Sequence, residues 1–144
     1  MLFRSNFLVS EYKKCDLNNH RLPMNLPNIF ESSISPEQYN AGQTIFDEGQ
    51  PGKVMYIVRQ GEVSLMVDDK LVEIVEPNGF FGEMALIEDQ SRSGKAVAKT
   101  DCQLVPITQR QFMFMVDETP FFALTVMKKM SERLRRIDSQ MHTA

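Results

Sequence analysis

Between residues 38 and 107 the chain carries short apolar runs, at 44–46, 54–58, 62–67, 70–75 and 96–107. Turn residues separate them: Ala41 and Gly42, the stretch 49–52, Gln60 and Gly61, Asp68 and Asp69, and the stretch 77–79. Short runs broken by turn residues at this spacing predict antiparallel strands closed into a jelly roll or a similar small roll. Beyond Ile107 the period lengthens to that of a helix. Thr108, with Gln111 three residues later, forms a capping-box pair opening a short helix through Val116. Thr119 and Pro120 then start a longer helix, Thr119 as the cap and Pro120 at the first position, where a missing N–H costs nothing. Along it Ala123, Met127, Met130, Leu134, Ile137 and Met141 alternate spacings of four and three. That is either a seam for a second copy or an ordinary packing stripe. Phe121, Phe122, Leu124 and Val126 offer a second face for the β domain, so that one helix serves two surfaces.

Residues 1–37 show no sustained apolar period and are interrupted by Asn18, Asn19, Pro23, Pro27, Ser32 and Ser33. They predict a loosely ordered arm with room for one short helix, followed by one domain over 38–144. The predicted fold class is mainly β with flanking helices: an antiparallel β roll plus a long C-terminal helix. A chain of 144 residues, 42 % hydrophobic and 24 % charged, suits one ordinary globular domain and excludes collagen-like and wholly disordered classes. The net charge of −3 argues against a nucleic-acid binder acting with its whole surface. Lys128, Lys129, Arg133, Arg135 and Arg136 nevertheless face only Glu132 in their segment. They read as a solvated face or as a patch steering an anionic partner. No run approaches a membrane span, and the apolar start is too short for an export signal, so the expected location is cytoplasmic, away from membranes. Cys15 and Cys102 then read as reduced thiols and cannot supply a cysteine cage.

Enzymatic readings find little support. Only two histidines occur, His20 and His142, both near the ends, so a histidine metal site is not expected. The stretch 49–54 looks like a fragment of a phosphate loop but lacks its glycine spacing and the hydroxyl residue, and reads as a turn. No nucleophile has an obvious base.

The most informative stretch is 80–93, FFGEMALIEDQSRS. Gly82 allows close backbone approach, and Met84, Ala85 and Leu86 can form a helical turn whose free N–H groups point at an anion. Glu83 offers an acceptor for a hydroxyl. Arg92, ten residues after the glycine, can return a planar fork matched to two phosphate oxygens, with the Ser93 hydroxyl beside it. Phosphate plus hydroxyl points to a ribose phosphate. The bland alternatives are a surface ion pair of Arg92 with Glu88 or Asp89, and a solvated Glu83.

FGEMALIEDQSR resembles the phosphate-binding cassette of cyclic nucleotide-binding domains, and AGQTIFDEG (41–49), MYIVRQGEV (55–63) and AKTDCQLVPI (98–107) resemble strands of that family. The resemblance covers residues 38–138 and is greatest toward the sensor half of catabolite activator type bacterial regulators. It implies that Arg92 holds the cyclic phosphate with Ser93 and backbone N–H groups around Ala85. It implies that Glu83, with the Gly82 backbone alongside, accepts from the ribose 2′-hydroxyl. The base would lie on apolar side chains of the roll, with Val63, Val75 and Met84 as candidates, capped by the terminal helix near Arg133. Gly94 and Lys95 depart from the family pattern, and Ile137 and Asp138 stand where the activator type reads adenine with hydroxyl groups. The chain ends at Ala144, so a DNA-binding role is not expected. The reading that follows is a stand-alone, non-enzymatic sensor of cAMP or cGMP, needing no cofactor. It would form a homodimer through its terminal helix or act on a protein partner. The alternative is a degenerate fold that has lost the ligand and serves as an interaction module.

Overall fold

The computed structural model describes residues 35–142, with side chains through Ser139. The expectation of a loose arm over 1–37 therefore lies almost wholly outside the described residues, as do Cys15, His20 and the side chains of Met141 and His142. Eight strands, β1 (Glu37–Tyr39), β2 (Thr44–Phe46), β3 (Val54–Gln60), β4 (Val63–Val67), β5 (Lys70–Val75), β6 (Phe80–Phe81), β7 (Lys95–Ala98) and β8 (Cys102–Thr108), build two sheets. Their orders are β1-β8-β3-β6 and β2-β7-β4-β5, every pairing antiparallel. Helix α1 (Glu83–Glu88) sits between β6 and β7, and α2 (Gln109–Glu118) and α3 (Pro120–His142) follow β8. The roll with flanking helices is thus the predicted fold class. Among the described residues no helix is long and apolar enough to cross a membrane.

Strand β3 reads as a continuous apolar run because both of its faces are covered. Met55 and Ile57 pack with Val105, Ile107, Phe122 and Val126 under the helices, whereas Tyr56 and Val58 pack with Val63, Val75, Phe81 and Leu104 inside the roll. The run expected over 96–107 is two strands instead. Lys99, Thr100 and Asp101 turn the chain there, the Lys99 N–H donating to the Glu62 carbonyl over 2.9 Å and the Asp101 carboxylate accepting from the Ala41 N–H over 2.8 Å. Strands β1 and β6, three and two residues long, are too short to give a periodic signal. The first includes Glu37, so the sheet begins inside the segment assigned to the arm. Asp68 and Asp69 both adopt positive φ, 51° and 62°, forming the tight hairpin turn expected between β4 and β5.

Helix α2 opens on the predicted capping box: Gln111 N–H donates to Thr108 Oγ1 over 3.2 Å and Thr108 N–H to Gln111 Oε1 over 2.8 Å. It runs two residues past the expected Val116, to Glu118. Pro120 is the first residue of α3, as its missing donor favours. The faces of α3 differ from the expected assignment. Phe122 and Val126 are fully buried, but Leu124 is 47 % exposed, because two residues on from Phe122 is about 200° around the helix. Of the positions that read as a seam or a packing stripe, Met130 packs against the core, while Met127 and Leu134 stay exposed.

The basic stretch of α3 is only partly a solvated face, since three of its cations converge on Glu73 of β5. Lys129 Nζ lies 2.9 Å from Glu73 Oε1, Arg133 Nη2 2.8 Å from Oε2, and Arg136 Nη1 2.6 Å from Oε1. Burial alone would raise the Glu73 carboxyl. The Arg133 guanidinium and the Lys129 ammonium outweigh that and hold it below the usual carboxylate range.

Two outcomes are expected. Phe122→Ala empties a fully buried site and should cost about 3–5 kcal/mol in denaturant unfolding, whereas Leu124→Ala should stay within about 0.5 kcal/mol. The depressed Glu73 carboxyl contributes stability that is complete above its unfolded value, about pH 4.3, and is lost as the pH falls through the lower folded value. Unfolding free energies measured from pH 7 down to pH 3 should therefore fall less steeply for Glu73→Gln than for the wild type at the acid end, from a lower starting value at pH 7. An identical acid limb in both proteins contradicts the assignment.

Candidate functional site

The segment joining β6 to β7 is shaped by two left-handed residues. Gly82 (φ 81°, ψ 9°) precedes α1 with no side-chain cap, so first-turn N–H groups of that helix are left to other acceptors. Asp89 (φ 53°) ends it, its N–H bonding back to the Ala85 carbonyl. The chain then returns along the 49–52 turn, where Arg92 N–H donates to the Gln50 carbonyl over 2.7 Å and Gly49 N–H to the Arg92 carbonyl over 2.9 Å. These bonds set Arg92 beside Gly82. A Cβ at Gly82 would stand 2.8 Å from Arg92 Nη1 in a conformation side chains rarely adopt, so this position requires glycine.

Arg92 is 5 % exposed and makes none of the surface ion pairs considered for it. Its Nη1 donates to the Gly82 carbonyl over 2.9 Å and its Nη2 to the Val54 carbonyl over 2.6 Å. Its Nε is buried without a partner. Among the described residues no carboxylate reaches ion-pair distance. Burial pulls its pKa below the ordinary arginine value, and the fields of Tyr56 and Glu83 offset that only in part.

Glu83, the first residue of α1, is equally buried, which excludes the solvated alternative. Its Oε1 accepts from Arg133 Nη1 over 2.7 Å. Arg133 also donates to Glu73 from Nε and Nη2, and from Nη2 to the Phe80 carbonyl, so one guanidinium of α3 ties β5, β6 and α1 together. Burial would lower its pKa, but Glu83 and Glu73 together raise it.

Between these two arginines lies an open cavity, concave and walled by polar and apolar side chains together, as small-molecule sites are. Gly82, Glu83, Met84, Ala85, Arg92, Ser93 and Arg133 all line it, as the sequence suggested, together with Gly94 and Lys95. Ser93 Oγ faces Met84 Sδ at 3.7 Å, and Lys95 Nζ lies 3.6 Å from the Asp47 carboxylate. Val63 and Val75 do not line the cavity. They pair directly across β4 and β5 and are buried in the roll core, one pleat period further along the sheet. The apolar wall comes instead from Leu65, Met66 and Val67 of β4, from Val72 of β5, from Phe46 and from Ile137 of α3. Val72 is the residue left without a register partner where Leu65 pairs with Glu73 but Met66 pairs with Leu71, a bulge no apolar pattern announces. Phe46, Val72 and Glu73 carry no site signal in the sequence, although all three lie in the predicted strands at 44–46 and 70–75. The cavity therefore offers a buried cation at one end, a carboxylate with a backbone carbonyl beside it, and an apolar wall. Among the described residues no group of histidine, cysteine and acidic side chains could hold a metal ion.

Comparison with known proteins agrees with this geometry. Residues 36–119 match the model of the cyclic nucleotide-binding domain. Over 107 residues, 74 % of this chain and 21 % of the relative, the sequence is 34 % identical to the cAMP-dependent protein kinase regulatory subunit of Eremothecium gossypii. The crystal structure of the Thermus thermophilus catabolite activator protein superposes with a TM-score of 0.71 at 25 % identity, covering 85 % of this chain and 60 % of that one. The structure described as "A cyclic-GMP-dependent signalling pathway regulates bacterial phytopathogenesis" superposes with a TM-score of 0.66 at 28 % identity, covering 80 % of this chain and 96 % of that one. The chain spans half or less of the length of the curated relatives it matches. With the roll, the cassette at 82–93 and the matched residues in accord, the chain belongs to the cyclic nucleotide-binding domain family.

Proposed function

We propose that the chain is a sensor that binds cAMP or cGMP reversibly, without turning it over, and passes occupancy to α3. The observation that carries this reading is the buried Arg92, which no carboxylate among the described residues pairs. A guanidinium removed from water with no carboxylate against it and with Nε unsatisfied is costly on its own, and an anion in the adjoining cavity relieves that cost. A cyclic phosphate fits the demand: Arg92 and the open N–H groups of the first turn of α1 take its oxygens, with Ser93 at the rim. Glu83 and the Gly82 carbonyl accept the ribose hydroxyl, Glu83 doing so beside its bond to Arg133. The base lies on Leu65, Val72, Met84 and Ile137. The relative named as a cAMP-dependent protein kinase regulatory subunit and the structure whose description refers to cyclic-GMP-dependent signalling support a cyclic nucleotide as the ligand class.

Binding acts on α3 through Glu83, because a ligand hydroxyl and Arg133 share one carboxylate. A shift of α3 needs a ligand that binds its two placements unequally. The exposed Met127 and Leu134 on the same helix offer a seam to a second copy, so the output is a homodimer or a protein partner tuned by the nucleotide.

Calorimetric titration of ligand-free protein with cAMP and cGMP should show saturable heat, with the nucleotide recovered intact. Arg92→Ala should weaken binding by about 30-fold to 1000-fold, the equivalent of about 2–4 kcal/mol. A folded wild type that gives no heat with either nucleotide overturns the sensor and leaves the interaction module. Light scattering with and without nucleotide is expected to show a dimer in at least one state; a monomer in both removes the seam.

A further inference from the structure

We infer that Phe46 and Gly52 form a slot that orients Arg92, Phe46 acting as a positioning residue for the phosphate subsite; this rests on the reading of Arg92 given above. Three observations meet at that guanidinium. The Phe46 ring covers one of its faces, with Arg92 Cζ 4.1 Å from the ring centroid. Backbone lies against it at Gly52, where a Cβ would stand 2.8 Å from Nε, 2.9 Å from Cζ and 2.5 Å from the Ala85 Cβ. The two Nη atoms are held in the guanidinium plane by the carbonyls of Gly82 and Val54. The turn at 49–52, which sequence reasoning set aside as a mere turn, is therefore one wall of the site.

The slot accounts for how a cation can wait buried without a carboxylate. The negative face of an aromatic ring and two carbonyl dipoles replace part of its hydration without neutralising it, so its full charge stays available to an incoming anion. It also favours a planar group: a lysine ammonium can neither lie flat against the ring nor reach both carbonyls in one plane. Phe46 is itself fixed, its ring centroid 5.9 Å from that of Phe81 and 6.4 Å from that of Tyr56, and it lines the cavity next to the cation it covers.

The test compares Phe46→Leu, which keeps an apolar side chain but removes the π face, with Phe46→Tyr, which restores it, using cAMP titration and the Nε–H resonance of Arg92 in a nitrogen-edited spectrum. In the wild type that resonance should be displaced by the ring current. Phe46→Leu should abolish the displacement and weaken cAMP and cGMP alike by about threefold to thirtyfold, and Phe46→Tyr should restore both. A merely structural role would not move the resonance with the ring. Phe46→Leu binding within about twofold of wild type, an unchanged resonance, or no rescue by Phe46→Tyr overturns the slot while the sensor stands. A wild type that binds neither nucleotide overturns the sensor and this role with it. Arg92→Lys should lose as much affinity as Arg92→Ala to within about threefold, since a charge that cannot use the slot does not substitute.

Discussion

A guanidinium kept out of water, with no opposing carboxylate among the described residues, is the constraint around which this domain is built. Desolvating a cation costs several kcal/mol after relaxation. The chain answers with geometry. Gly82 in a left-handed conformation presents its carbonyl, the 49–52 turn clamps the Arg92 backbone, and strand β2 delivers an aromatic face. Together these contacts leave the cation poised instead of neutralised. Had Glu88 or Asp89 folded back to pair with it, the same residues would have made an ordinary surface ion pair and no receptor for an anion.

The second arginine is treated in the opposite way. Arg133 is as buried as Arg92 but fully engaged, with Glu73, Glu83 and the Phe80 carbonyl around it. Replacing such a network with apolar side chains would often be neutral or stabilising, whereas removing one partner is expensive. Its contribution is therefore better read as fixing where α3 sits than as holding the fold together; the apolar contacts of Phe122 and Val126 do the latter. Glu73 makes this possible by collecting three cations from a single helix face.

The architecture was legible from sequence wherever a feature is written in local chemistry. The capping box at Thr108 and Gln111, the Asp68–Asp69 turn and the cassette from Gly82 to Ser93 each depend on neighbours close in the chain, and each stands where expected. Features that depend on partners far along the chain were not legible. Leu124 looked as apolar as Phe122 and was assigned inward, but helical phase relative to β3 and β8 decides the face. Val63 and Val75 were placed at the ligand because both are apolar and near the right strands. Neither lines the cavity, and a register bulge in the hairpin brings Val72 to its wall instead. Glu73 looked like the polar half of an alternating strand, and only the return of α3 over β5 turns it into a buried hub.

The two arginines also set limits on how strongly a ligand can act on the helix. Arg133 holds two carboxylates, and only one of them, Glu83, borders the cavity; Glu73 stays outside it with Lys129 and Arg136 still attached. On the reading proposed above, a hydroxyl competing for Glu83 perturbs α3 without stranding Arg133, because the Glu73 half of its bonding survives. Moving a two-state element from one extreme to the other takes about 5.5 kcal/mol of differential binding, more than one shared carboxylate can deliver while Glu73 retains its grip. On that reading, the geometry favours a graded shift of α3 over its release, pivoting near the contacts of Lys129, Arg133 and Arg136 with Glu73 while Phe122 and Val126 keep the N-terminal half of the helix in the core.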